Sequence, residues 1–276
     1  AKEVMRTHDI ICASRPKILF SQIMLYDCTD ITFSPYGEYW RQLRTICMQE
    51  LLSAARVQSF RPLKEKETFN FIDWIASNVG STINLTERIN MFMYGVISQA
   101  SCSRKSKDNK DFISVITEAI EVSLGFELSD LFPSVGVLAK ISRSRPTLER
   151  LRQRAARIFE DIFQEHKEKK SAERSGGIGT EEDLVDVLLK FHNNGDLEFS
   201  LTSDNLKAII FDIFSAGIET SSSTVDWAMA EMIKNPRVMK KAQTRGQGRG
   251  TSRGRGRGWN SNNHNYHINN FERGKS

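Results

Sequence analysis

The 276-residue chain has only four cysteines, Cys12, Cys28, Cys47 and Cys102, and no two of them stand at a metal-type spacing. That speaks against a disulfide-framed module and favours free thiols in a reducing compartment, each packed as a small apolar core residue. Long hydrophobic runs are also lacking: nothing approaches the ~20 residues of a membrane span, and no signal peptide opens the chain. Strand signals are thin, and no internal repeat is present. The first residue is Ala1 rather than methionine, which suggests a piece of something longer.

A basic excess is missing too, once the charge is divided. The formal net charge is +5, from 39 basic and 34 acidic residues, but seven basic residues and one acid lie from Thr244 onward. The body before it carries 32 basic against 33 acidic residues, a net −1. The segment beginning "TRGQGRGTSRGRGRG" is a different material, dominated by glycine, arginine and asparagine with no hydrophobic period, and it is expected to be disordered. Composition therefore predicts two regions: a folded body over 1–243 and an Arg/Gly/Asn-rich tail over 244–276.

What the body does have is helical periodicity throughout. "PYGEYWRQLRTICMQEL" sets Tyr36, Trp40, Leu43 and Cys47 on one face. One helix is expected over 55–77, a buried one opening at the N-cap Asn84, and a shorter amphipathic one ending near Gly125. Another begins around Pro146, with Leu148, Leu151, Ala155, Ile158, Phe159, Ile162 and Phe163 on its stripe. Residues 167–180 read as a surface linker, "EEDLVDVLLKF" as a helix, and "NNGDLEFSLTSDN" as a turn into a long helix from Thr202 or Ser203 to Asn235, which Pro236 ends. The predicted fold class is mainly α with little β.

That last helix carries the chemistry. Its middle, "FDIFSAGIETSSST", holds Gly217, Glu219, Thr220 and a run of serines. Glycine lets a ligand come close to the backbone, and an acid beside a hydroxyl is equipment for relaying protons. The same letters also suit a buried helix whose hydroxyls bond back to its own carbonyls.

"AGIETSSSTVDWAMAEMIKNPRVMKKAQ" closely resembles the long distal helix of the cytochrome P-450 monooxygenases, whose pattern Ala/Gly-Gly-x-Asp/Glu-Thr-Thr/Ser is met by Ala216, Gly217, Glu219, Thr220 and Ser221. "YGEYWRQLR" resembles that family's Trp-Arg-x-x-Arg helix through Trp40, Arg41 and Arg44. "SRP" at Ser14, "DLFPS" at Asp130 and "DLVDVLL" at Asp183 look like its plant terpenoid- and alkaloid-oxidising branch. The resemblance runs through residues 1–243 in one register and implies a partial P-450 helical fold around haem (heme, iron protoporphyrin).

It implies that Trp40 and Arg44 hold a haem propionate, that Gly217, next to Ala216, leaves room for dioxygen, and that Thr220 and Glu219 deliver protons. Phe33, Ile209, Asp212 and Ala216 would face a small hydrophobic substrate. Arg41 would meet the electron-donating NADPH-cytochrome reductase or only solvent. The full-length family belongs at the endoplasmic reticulum membrane; this chain shows no anchor for it. The family's iron ligand, the cysteine of Phe-x-x-Gly-x-Arg-x-Cys-x-Gly, has no counterpart here, and neither has its Glu-x-x-Arg helix, so the chain as given is expected to be inactive.

The tail fits that expectation. Where the family continues Glu-Val-Arg-Glu, this chain reads Arg-Gly-Gln-Gly. One allowed codon choice for it, AGA GGT CAG GGA, read one nucleotide later, gives GAG GTC AGG, or Glu-Val-Arg. A reading-frame slip near Thr244 is one account. An Arg-Gly tail that binds RNA is another, and a non-functional truncated gene product is a third.

Overall fold

The structure, a computed structural model, describes residues 2–103, 110–123, 125, 127–174, 182–194 and 201–250. No strand occurs among them. The main helices are α1 (Leu19–Met24), α2 (Glu38–Ile46), α3 (Arg61–Ser77), α4 (Leu85–Cys102), α5 (Lys110–Ser123), α6 (Arg145–Arg174), α7 (Leu184–Asn194), α8 (Ser203–Lys234) and α9 (Pro236–Gly250). None among the described residues is long and apolar enough to cross a membrane.

Local chemistry sets several of these boundaries. The Asn84 side chain accepts from the Glu87 N–H and caps α4. Before α8, Thr202 Oγ1 accepts from Asn205 N–H, and Asn205 Oδ1 accepts in return from Thr202 N–H. This reciprocal pair satisfies two of the backbone donors that a helix start leaves orphaned. Pro236, which cannot continue a helix that needs its N–H, separates α8 from α9.

Three boundaries differ from the sequence expectation. The helix predicted over 55–77 is two helices, Ala54–Ser59 and Arg61–Ser77, broken at Phe60, where the backbone leaves helical geometry just ahead of Pro62. The linker expected from Lys167 begins as helix instead, because α6 runs on to Arg174; residues 175–181 lie outside the described ones. Beyond Gln243, α9 continues through Gly250. Adding residues to an existing helix avoids the unfavourable nucleation step, so the first turns of a poor sequence can follow a good one. The rest of the tail expected to be disordered, 251–276, lies outside the described residues.

The chain forms two compact units, Ala1–Trp227 and Ala228–Ser276. The composition boundary at Gln243 falls inside the second, whose Ile233 and Val238 are exposed. In the first unit, α6 packs on α1 and α5, while α4 packs on α3 and α7. Its centre is aromatic: the Phe112 ring lies 5.0 Å from Phe214, 5.2 Å from Phe159 and 6.4 Å from Tyr94. These offset and edge-on arrangements suit ring quadrupoles, and they join α4, α5, α6 and α8 at one point.

A buried polar latch ties α6 to α7. His166 Nε2 meets Asp183 Oδ2 at 2.8 Å, and its Nδ1 meets the Ile162 carbonyl at 2.8 Å. Ser103, held in a left-handed conformation at the end of α4, donates to the same Asp183 oxygen. Asp183 also opens α7 as a capping box with Asp186, each carboxylate accepting the other residue's N–H. Burial pulls the His166 imidazolium down, but the hydrogen bond and charge of Asp183 outweigh it and leave its pKa raised. Burial likewise raises Asp183, and the His166 contact more than reverses that. The three groups could in principle ligate a metal. Their atoms are already spent on one another, and Lys170 adds a cation 3.6 Å from Asp186.

Candidate functional site

The site is built where the loop before α2 meets α8 at Asp212. That loop is held from three sides. Asp30 makes a side-chain turn over its own backbone, accepting N–H donors from Thr32 and Phe33 at 2.9 and 3.0 Å. Tyr39 of α2 donates its hydroxyl to the Thr29 carbonyl at 2.6 Å. Trp40 donates its indole N–H to the Ile31 carbonyl at 3.0 Å.

The last bond changes the reading of Trp40. Its donor is engaged by the loop, because a half-buried indole N–H takes a nearby carbonyl rather than stay unpaired. Arg44 is different. Its guanidinium is exposed, makes no ion pair among the described residues, and sits 5.8 Å from the centre of the Trp40 ring. Arg41 points elsewhere, pairing with Glu38 at 2.6 Å on an exposed face.

On α8 the predicted residues divide by helical phase. Ala216 and Thr220 are four apart and share a face, and both are exposed, as is Glu219. The Thr220 hydroxyl donates to the Ala216 carbonyl at 2.7 Å. Ser222 and Thr224 bond back to carbonyls in the same way, as hydroxyls in a helix commonly do. The Glu219 carboxylate accepts from Ser223 at 3.1 Å.

Gly217 is turned about 100° from Ala216 by the helix pitch, and its bare Cα faces α4. A Cβ placed there would come within 2.9 Å of Ile97 Cδ1. The room that glycine leaves is therefore used by helix packing.

The residues expected to face substrate are not alike either. Phe33 is half-buried and packs on the core, and Ile209 is fully buried within it. Asp212 is buried, and its two oxygens accept from the Thr32 hydroxyl at 2.9 and 2.8 Å. Of these, only Ala216 presents an open surface. Asp30, Asp183 and His166 were not singled out from the sequence. An Asp two residues before a Thr in a loop, and Asp-x-x-Asp before an apolar run, are the turn and capping signals that mark the first two. A buried histidine has no such local signal.

The test for haem rests on these donors. An unpaired guanidinium stacked over an indole suits a propionate, and the uncovered Ala216–Glu219–Thr220 strip suits a flat group beside α8. The axial thiolate does not come from the thiols of the core. Cys28, Cys47 and Cys102 are buried, and burial pushes the Cys47 thiol up to about 12. A thiol so disfavoured as an anion is no ready ligand. The residues fit the distal and propionate side of the group.

Comparison with known proteins identifies the family. The Cytochrome P450 family profile matches residues 1–245. Cytochrome P450 71D11 of Lotus japonicus is 48% identical over 244 residues, 88% of this chain and 50% of its own length. Tabersonine 16-hydroxylase 1 of Catharanthus roseus is 48% identical over 245 residues, 88% of this chain and 48% of its own. The chain thus spans about half the length of the curated relatives it matches. A zebra fish cytochrome P450 structure with progesterone, 18% identical, superposes with a TM-score of 0.70 over 88% of this chain and 55% of the other. That likeness shows the fold. With the family profile covering nearly all of the described residues, the chain belongs to the cytochrome P450 family.

Proposed function

We propose that residues 1–243 form the distal half of a haem monooxygenase that inserts one oxygen atom from dioxygen into a small hydrophobic plant metabolite. The observation that carries this reading is the exposed strip of α8 with Thr220 bonded to the Ala216 carbonyl. When bound, a haem with a thiolate ligand supplies the electron push that favours O–O cleavage. The chain's own residues do the rest. Arg44 holds a propionate by charge-assisted hydrogen bonds, while Trp40, fixed to Ile31, positions that guanidinium.

Thr220 donates to Ala216, which leaves its lone pairs free to accept a proton-bearing partner from the open side. Glu219, exposed and one residue away, exchanges protons with solvent. The plant relatives support a secondary metabolite as substrate, and the family supports an NADPH-cytochrome reductase as electron donor, with the full-length enzyme at the endoplasmic reticulum membrane.

Two measurements test this. The 276-residue chain, purified and incubated with haem, is expected to show no reduced-CO band of the kind that names the family. Such a band would mean that one of its four cysteines reaches the iron. A chimera of residues 1–243 followed by the C-terminal half of the Lotus japonicus relative is expected to show that band. In that chimera Thr220→Ala keeps a good helix former but removes the hydroxyl from the open face. Product formed per NADPH should fall several-fold with haem content unchanged. Unaltered coupling would make Thr220 a back-bonding helix residue and nothing more.

A further inference from the structure

Two carboxyl groups meet beside α8 with no cation to balance them. Asp30 is fully buried and Asp212 is 7% exposed. The Thr32 N–H bridges them, 2.9 Å from Asp30 Oδ2 and 3.2 Å from Asp212 Oδ2. The Thr32 hydroxyl lies on Asp212, and the Phe33 N–H lies on Asp30 Oδ2. All these donors fall on three of the four oxygens. The fourth, Asp30 Oδ1, is buried with no hydrogen-bond partner.

Nothing nearby supplies the missing charge. Neither carboxyl makes an ion pair among the described residues. Tyr39 of α2 lies by Asp30, and Cys47, just past the end of α2, lies by Asp212; both are pushed towards their neutral forms by burial first and then by these carboxylates. From the loop, Cys28 is likewise raised by burial. Lys17 acts on Cys28 from further out, where it is paired with the exposed Asp27.

Two anions sharing one N–H donor in a dry setting repel strongly even at a moderate effective dielectric. An ionised oxygen with no donor costs more still. One proton on Asp30 removes the repulsion and leaves its unpartnered Oδ1 uncharged, with Asp212 as the carboxylate that Thr32 serves.

We propose that Asp30 keeps its proton while Asp212 stays ionised, and that this acid–carboxylate pair clamps the loop of residues 29–33 onto α8 and releases it when the proton leaves. The loop carries Phe33 and the Ile31 carbonyl that orients Trp40, so release would loosen the wall beside the Ala216–Thr220 strip. Burial, and then repulsion from Asp212, push the Asp30 carboxyl up to about 7. Burial raises Asp212 as well, against the opposing Thr32 donors. A raised carboxyl stabilises the fold fully below its ordinary value of 3.8 and loses that contribution as pH climbs to about 7. Loosening therefore belongs to the alkaline side.

The test uses the 276-residue chain. Amide hydrogen exchange at Thr32 and Phe33, corrected for intrinsic rates, is followed from about pH 5.5 to 8.5. Protection should fall by up to about tenfold per pH unit as pH rises towards about 7, the slope of one released proton, and level off above it. Asp30→Asn, an amide in place of the neutral acid, should keep the loop protected and abolish the slope. In case that variant misfolds, infrared difference spectra of the unmodified chain should show a protonated carboxyl C=O stretch disappearing through the same pH range. Flat protection in the unmodified chain, a slope that survives in folded Asp30→Asn, or no protonated carboxyl band would each overturn the proposal. So would protection restored at high pH by calcium or magnesium alone, because the pair would then hold a cation.

Discussion

His166→Ala is expected to cost the first compact unit about 3–5 kcal/mol, the loss that follows when one partner of a buried ion pair is removed. The imidazole is 4% exposed, and the Asp183 carboxylate it serves is 2% exposed. Without the ring, Asp183 keeps only the Ser103 hydroxyl and the Asp186 N–H. The same carboxylate caps α7, so its strain passes directly to that helix start. Two signs of pH dependence are built in. Because His166 is raised, its contribution is complete below its ordinary 6.5 and fades as pH rises through the folded value. Because Asp183 is lowered, its contribution is complete above its ordinary 3.8 and fades as pH falls through the folded value. Between about 3.8 and 6.5 the latch contributes most. Urea midpoints of the chain and of His166→Ala across pH read this out. A loss below about 1 kcal/mol at pH 6, the size of an exposed pair, would show that solvent reaches the latch.

Phe112→Ala should cost a comparable amount, about 3–5 kcal/mol, through a cavity rather than a charge. Phe112 is 2% exposed and is the ring on which Tyr94, Phe159 and Phe214 converge. Truncation removes the contact surface of four helices at one point, and side chains fixed to separate backbones close such a gap only in part. Phe112→Leu fills most of the volume and should lose less. The measurement is the urea midpoint at constant slope, with near-ultraviolet circular dichroism to follow aromatic packing. Equal losses for the two variants would point to ring–ring geometry rather than volume as the main contribution. Full retention of stability in both would mean that the cluster is not the core.

Much of the fold was open to reading in one dimension. Asn84, Thr202, Pro146 and Pro236 act within one turn of themselves, so their roles as caps, starts and stops do not depend on where other helices go. The apolar stripe of α6, from Leu148 to Phe163, is a matter of period, and its predicted positions are buried except Ile158, which is half-buried. The break at Phe60 was missed because the residues on both sides still place apolar side chains at helical spacing. The extension of α6 to Arg174 was missed because charged residues are good helix formers as well as good linker residues.

The candidate site divides along the same line. The order of residues alone determined that the chain is helical and that it carries the Trp40–Arg44 and Ala216–Thr220 motifs of the cytochromes P450. These follow from spacing within single helices, which sequence preserves. Only the tertiary structure decided how each group is spent: Trp40 on Ile31, Gly217 on Ile97, Asp212 on Thr32 and Asp30, and His166 on Asp183. Hydrogen bonds and van der Waals contacts act over a few ångströms, whereas the partners of Asp212 and Gly217 lie 120 or more residues away in the chain. Which donor meets which acceptor across that separation is set by how the helices pack, and helical period carries no record of it.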